Sequence, residues 1–278
     1  MIDLKDTTFI IPVKIESDDR LRNVITVCCF LLENFDTKVI LKEVDTESVF
    51  KESALPQISE YVEDAIKNLT HVHQVPDADD PVFYRMRYLN EMLAMVETDV
   101  VANYDSDVLL PVDTYVKAQA MCKGEYDLVY PFGFGTQENQ VKWQKKVFAS
   151  DELVSHFLNE NFDFSIFESS CQKDRAQWGH AQFFKRESYI KGGMENENFK
   201  AWGPEDEEKH YRFPKLGYNI GRIFDWVYHL EHSRGDDSER TNIYFHDNLK
   251  LMEDIRGLSV EELRNYYNTQ EYLKKYHD

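Results

Sequence analysis

Three short segments of the 278-residue chain combine side chains that can do chemistry. The first is Asp105-Ser106-Asp107, directly after the β-rich run VVANY. Two carboxylates at i and i+2 in a loop beyond a strand can offer oxygen to a hard divalent cation and to a ribose. The pattern by itself is weak, because 25 aspartates in 278 residues give about two such pairs by chance, and two are present. The other, Asp77–Asp79, lies in a loop flanked by prolines, whereas Asp105–Asp107 is followed by a second apolar run, VLLP. Taken alone, the pair also fits a solvated turn. The second segment is His229-Leu230-Glu231-His232, which closes the run WVYHL. Imidazoles prefer manganese, iron and zinc to calcium, and a donor set mixing histidine with carboxylate suits Mn2+. A turn after Leu230 would let both rings face one point; the alternative is that His229 packs in a sheet and His232 binds a loop. The HLEH spacing is not the HExxH of a zincin. The third segment is Trp202-Gly203-Pro204-Glu205-Asp206-Glu207-Glu208. Pro204 predicts a helix start, where the macrodipole favours acids. That accounts for the carboxylates but not for Trp202-Gly203, a flat ring beside a flexible backbone. Such a pair suits stacking on a sugar, with a carboxylate nearby to accept a hydroxyl proton.

The elements that must position these groups are legible as periodicities. Residues 9–13 (FIIPV) read as a short buried strand closed by Pro12, and apolar residues from Leu21 to Phe35 recur at helical spacing. KVILKEV predicts a second strand, followed by a helical stretch interrupted by Pro56 and a third strand over 71–75. Tyr88, Leu89, Met92, Leu93 and Val96 mark another helix leading into VVANY. This alternation predicts an α/β fold with a mostly parallel sheet, in which ligands gather beyond the carboxyl ends of the strands. The loops after Val13, Val44 and Tyr104 are therefore the places to look. Further on, 127–130 and 182–186 read as strands and 204–216 as a helix. Residues 219–223 and 226–230 are expected to pair as strands, and a polar helical tail follows from about Asp247.

Composition excludes several classes. The chain has 51 acidic against 32 basic side chains, a formal charge of −19, with 42% apolar and 14% aromatic residues. The apolar content argues against disorder. So negative a chain lacks the positive footprint that nucleic acid requires, and contact with an anionic membrane is at most peripheral. The apolar run over 24–32 is about half of what spans a bilayer. The opening MIDLKDTTF carries no secretory signal pattern. Cys28, Cys29, Cys122 and Cys171 form no CxxC pair, so a reduced, cytoplasmic protein is expected. The 16 Tyr and 18 Phe read mainly as core.

Four strings occur in an order that resembles a known family: FIIPVKIESDDRLRN, then YRMRYLNEML…VVANYDSDVLLP, then FFKRESYIKGGMENENFKAWGPEDEEKHYR, then HLEHSR. Over roughly residues 8–250 the chain resembles nucleotide-sugar-dependent glycosyltransferases of the A-type fold. These are family-2-like enzymes with a galactosyltransferase-type C-terminal half, such as β-1,4-galactosyltransferases, chondroitin-polymerase domains and polypeptide GalNAc-transferases. The resemblance implies a single Rossmann-like catalytic domain over 1–247, with a nucleotide-binding half (1–125) and an acceptor and metal half (126–247). Residues 248–278 form a helical tail.

It also implies roles. Asp107 and His232 would be metal ligands, with His229 where some relatives place a second one, holding Mn2+ or Mg2+. Asp105 would lie nearer the ribose and diphosphate, and Asp206 of the Glu205-Asp206 pair would be the general base of an inverting reaction. Pro12, Val13 and Glu43 or Asp45 would hold the uridine, with Arg85 or Arg87 near the diphosphate. Trp202 and Gly203 would face acceptor and donor. The chain departs from the pattern at Pro204, where relatives often have a second glycine, and at His180-Ala181-Gln182, which replaces a Gly-rich stretch. The implied donor is a UDP-sugar, galactose or GalNAc in kind, and the implied acceptor a glycan or lipid-linked saccharide in surface-polysaccharide synthesis. Two rivals are weaker. A sugar-phosphate nucleotidyltransferase would carry a Gly-rich phosphate loop after strand one, where this chain has KIESDD. A non-catalytic glycan-binding relative would be expected to have lost Asp107, Asp206 or His232.

Overall fold

The computed structural model describes residues 1–77, 80, 82–134, 144–147, 150–168, 170–172, 176–235 and 240–277. The first half follows the expected alternation: β1 (Ile2–Val13), α1 (Asp18–Asn34), β2 (Phe35–Val44), α2 (Leu55–Val62), β3 (Leu69–Gln74), α3 (Arg85–Leu93) and β4 (Val100–Tyr104). The second half adds β5 (Val108–Leu109), α4 (Val112–Lys123), β6 (Leu128–Tyr130), β7 (Gln144–Val147), α5 (Asp151–Asn159), β8 (Cys171–Gln172), β9 (Ala181–Lys185) and α6 (Arg186–Lys191). It closes with α7 (Glu205–Leu216), β10 (Ile220–Arg222), β11 (Val227–Leu230), α8 (Phe245–Gly257), α9 (Val260–Asn268) and α10 (Glu271–His277).

The main sheet has seven strands in the order β10-β6-β9-β4-β1-β2-β3. All its pairings are parallel except those of β9, which runs against both β4 and β6. From Thr7 to Val13 every residue of β1 is buried, the mark of a central strand covered on both faces. β1 is longer than the five residues expected, because its first part also pairs with β2 at Ile2 and Asp3 before a bulge. Pro12 is tolerated within it because pairing with β4 stops at Ile10, so the missing N–H interrupts no second ladder. Pro56 does not interrupt a helix either. It lies in the first turn of α2, directly after a π-helical turn at Phe50–Ala54 whose closing bond runs from Leu55 N to Phe50 O.

The expected pairing of 219–223 with 226–230 does not occur. Tyr130 O accepts from Ile223 N (2.9 Å) and Asp225 O from Gly133 N (3.0 Å), which keep the chain running beside 130–133 instead of reversing. β10 therefore closes the large sheet against β6, while β11 enters a second, four-stranded sheet ordered β5-β11-β7-β8. The aromatic residues are largely core: Phe30 alone meets Phe35, Tyr115, Phe157, Phe162 and Phe164 at centroid distances of 5.3–6.4 Å. All four cysteines are unbridged. No helix among the described residues is long and apolar enough to cross a membrane.

The C-terminal helices pack onto α7 through a buried charge cluster. Arg212 is fully buried and donates to Gly192 O (3.0 Å) and Met194 O (2.7 Å), with its guanidinium 4.1 Å from the Tyr267 ring centroid. Glu208, one turn earlier, lies 3.2 Å from Arg212 Nε and accepts from Tyr267 Oη at 2.5 Å. Tyr267→Phe removes that donor from a buried carboxylate, and should lower unfolding free energy by roughly 1–3 kcal/mol in denaturant melts. An unchanged midpoint would mean that α9 does not secure α7.

Candidate functional site

A cleft of about 510 Å3 opens beyond the carboxyl ends of β1 and β4. Each candidate group reaches it by a separate element. β4 ends at Tyr104, whose hydroxyl donates to Val108 O (2.8 Å) and so pins the loop that carries Asp105 and Asp107. β5 then pairs antiparallel with β11, Val108 opposite His229, and Leu230 N donates to Asp107 O (2.8 Å). That register puts His229 beside Asp107. The turn after β11 is held by the start of α1: buried Asn23 donates to Leu230 O (3.0 Å), and Ser233 N donates to Asp19 Oδ2 (2.6 Å). His232 is thereby brought back to the same point. Its Nδ1 donates to Ser233 O (2.7 Å), which aims Nε2 at Asp107 Oδ2, 2.9 Å away; His229 Nε2 lies 3.5 Å from Oδ1.

These three side chains form a candidate cation centre, with one ligand atom from each lying within 4.8 Å of the others. One carboxylate and two imidazoles, one with its second nitrogen already committed to a carbonyl, is a donor chemistry that fits Mn2+. Burial opposes ionisation of Asp107, but His229 and His232 outweigh it and hold the carboxyl well below its usual range.

Across the cleft, α7 presents Glu205 and Asp206 in its first turn. Three donors surround Asp206 Oδ1: Lys209 Nζ at 3.1 Å, Gln182 Nε2 at 3.2 Å and Arg85 Nη1 at 3.8 Å. This leaves Oδ2 towards Gly179, where an added Cβ would stand only 3.0 Å away. Lys209 is fully buried and bridges to Glu195 (2.8 Å), which accepts in turn from Asn103 (2.8 Å) and Tyr189. Desolvation pushes Asp206 upward, but Lys209 and Arg85 keep it below its ordinary value. Glu205 goes the other way: burial and the neighbouring Asp206 raise it, outweighing Arg85, and its Oε2 accepts from Gly203 N (2.8 Å). The two adjacent carboxyls are thus shifted in opposite directions by their surroundings.

Arg85, at the start of α3, donates to Asp105 Oδ1 (2.8 Å), and its buried Nη1 has no hydrogen-bond partner among the described residues. His180 and Ala201, both on the cleft, hold left-handed backbone (φ 72° and 54°), and burial together with His229 draws His180 down to about 4, so its ring is neutral.

Of the residues singled out from sequence, Pro12, Val13, Arg85, Asp105, Asp107, Trp202, Glu205, Asp206, His229 and His232 line the cleft. Glu43, Asp45, Arg87 and Gly203 do not. Glu43 is wholly buried, accepting from Phe50 N (2.8 Å) and Ser48 and lying 3.1 Å from His71 Nε2, so it anchors the 44–50 loop. Asp45 is held at the same loop by its own turn, bonding Thr46 N (2.7 Å). Arg87 turns away from Arg85 to pair with Glu91 (2.8 Å). Gly203 faces Asn248, whose side chain leaves no room for a Cβ (2.8 Å). Asp77 bridges to Asp80 away from the cleft, and Asp79 lies outside the described residues. Sequence reasoning missed Gly179, Glu195 and Lys209, and named Gln182 only as part of a departure from the family pattern, without its role beside Asp206. Only Lys209 left a local signal, three residues after Asp206 and hence on the same helix face.

No protein-family model and no curated protein sequence matches the chain. Solved structures do. The chain is similar to the mannosyltransferase PcManGT from Pyrobaculum calidifontis, in complex with GDP-Man and Mn2+, with a TM-score of 0.53 and 17% identity, over 96% of this chain and 69% of that one. It is similar to GalNAc-T7 with UDP, GalNAc and Mn2+ (TM-score 0.56, 12% identity, 97% of this chain and 55% of that one). The same holds for S. aureus TarS (0.51, 14%, 98% and 43%), so the chain spans about half the length of these last two. At such identities the likeness establishes the fold, and the A-type glycosyltransferase fold implied by the motifs is the fold of this chain. Asp107→Ala and His232→Ala should each weaken Mn2+ binding by about tenfold or more in calorimetry. Unchanged affinity in either variant would remove that residue from the donor set.

Proposed function

We propose that this chain is a metal-dependent inverting glycosyltransferase. It moves a hexose or N-acetylhexosamine, galactose or GalNAc by motif resemblance, from a UDP-sugar to a glycan hydroxyl in surface-polysaccharide synthesis. One observation carries the reading: a carboxylate–imidazole donor set and Asp206, held by Lys209 and Gln182, face a common cleft.

Asp107, His229 and His232 would hold the cation. When bound, it offsets the charge that builds on a diphosphate leaving group. Arg85, on the cleft wall, adds a positive charge for a phosphate oxygen, and its bond to Asp105 fixes its position. Trp202 stacks on Phe245 (centroids 5.6 Å, interplanar 8°) and presents the ring's other face to a sugar. Asp206 Oδ2 takes the proton of the acceptor hydroxyl. The hydroxyl oxygen forms the new bond to the anomeric carbon, and the electron pair of the breaking carbon–oxygen bond leaves with the diphosphate. A single displacement of this kind inverts the centre. The absence of glycine from the loop after β1 speaks against the nucleotidyltransferase alternative.

The deciding experiment is a panel of UDP- and GDP-sugars scored for nucleoside diphosphate release with Mn2+ and with chelator. Mn2+-dependent release from a UDP-hexose or UDP-N-acetylhexosamine is expected; silence across the panel, with no nucleotide binding, would overturn the reading. Asp206→Asn should lower kcat by about 10²–10⁴-fold while Mn2+-dependent UDP affinity stays near wild type. Lys209→Met removes the cation that holds Asp206 down, so the base would be protonated sooner on acidification. At saturating Mn2+ the acid limb of kcat should move to higher pH, and a limb that stays in place would separate Lys209 from the base.

A further inference from the structure

A second concavity, about 530 Å3, lies between the 196–200 loop and helices α8 and α9. It shares a wall with the cleft. Lys200 borders the groove and Trp202 the cleft, while Tyr244 borders the groove and the next residue, Phe245, stacks on Trp202. Asn248 pins this wall from behind, donating to Lys200 O (2.7 Å) and accepting from Lys200 N (3.2 Å). Groove and cleft are therefore neighbours, separated by this one wall.

The lining has a definite chemistry. Asn198, Tyr266 and Gln270 form a preset cluster: Asn198 Nδ2 donates to Gln270 Oε1 (2.8 Å) and Tyr266 Oη (3.1 Å), and buried Asn196 supports the same hydroxyl (3.3 Å). Tyr244 offers its ring, with Lys200 Nζ 5.2 Å from the centroid. One cation, Lys200, and one anion, Asp247, balance each other in charge, so the groove does not select a phosphate or an acidic chain. Its size is that of a ligand site, and its lining mixes amides and tyrosines with one aliphatic side chain, Leu251. Neutral amides and hydroxyls meet sugar hydroxyls, and aromatic faces meet the C–H faces of sugar rings.

We propose that this groove binds the distal sugar units of a neutral acceptor glycan, so that the chain extends an existing saccharide. The inference rests on the transferase reading of the cleft, and two measurements keep the two separable. The first uses no donor: the 15N-labelled chain is titrated with cello-, chito-, malto-, xylo- and galacto-tetraoses and with the matching monosaccharides. At least one tetraose is expected to give saturable shifts of the Asn198 and Gln270 side-chain amides that its monosaccharide does not; no such shift with any of them overturns the proposal. The second is transfer. In Gln270→Ala, or in Asn198→Ser should that variant fold poorly, the ratio of KM for the tetraose to KM for the monosaccharide should rise about tenfold, as expected for one lost hydrogen bond of the stronger kind. A ratio that does not move overturns it. Tetraose shifts in a chain that releases no nucleotide from any donor would leave the groove standing and sink the reading of the cleft.

Discussion

The ammonium of Lys209, enclosed between Glu195 and Asp206, is the contact on which the charge balance of the cleft depends. Asp105, Asp107, Glu205 and Asp206 share one cavity, and Glu195 lies immediately behind it. Carboxylates so close repel one another and lose solvation, so each needs its own compensation. Asp105 has Arg85, Asp107 has two imidazoles, and Glu205 is drawn towards its neutral form by burial and Asp206. Asp206 has Lys209, and Lys209 can stay charged out of water only because Glu195 is itself fixed by Asn103 and Tyr189. Breaking a buried pair from one side typically costs roughly 3–5 kcal/mol, so this arrangement is stiff as well as charged. Asp206 and the sheet beneath it, through Asn103 of β4, are one hydrogen-bonded unit.

Much of the frame was legible because its signals are local. Apolar runs and helical spacing give β1, β2, β4 and α3, and the acid-rich start of α7 follows from Pro204. The chemical groups at strand ends and helix starts, Asp105, Asp107, Asp206, His229 and His232, were legible for the same reason: their elements end at the cleft. What escaped depends on direction and distance. Glu43 is near the end of β2, but the pleat turns it inward to Phe50 and His71. Arg87 is two residues from Arg85, about 200° around the helix, and so faces elsewhere. Gly179, Gln182 and Glu195 act on α7 from another part of the chain, and nothing in their neighbours announces it. The supposed hairpin over 219–230 failed because backbone bonds to 130–133 carry the chain onward into a second sheet.

The two sheets divide the work. The large one supplies the floor and carries Asp105 at its carboxyl edge. The small one exists mainly to fold β11 back against β5, and its register alone places His229 against Asp107. The Asp107–His229–His232 cluster therefore depends on a junction between sheets, whereas Asp206 depends on a helix packed by the C-terminal segment through Glu208, Arg212 and Tyr267.

β9 runs against its neighbours, so it begins where they end. The chain just before it, Gly179 and His180, comes into the cleft from outside the sheet, while the loops after β1 and β4 leave the sheet there. That inbound segment is tied down at several points: Asp105 N donates to His180 O (3.0 Å), Arg222 Nη2 to Gln177 O (3.0 Å) and Gln182 Nε2 to Trp178 O (2.7 Å). None of these ties belongs to a strand ladder, so side chains can change there without altering the sheet's pairings, provided the position opposite Asp206 stays small.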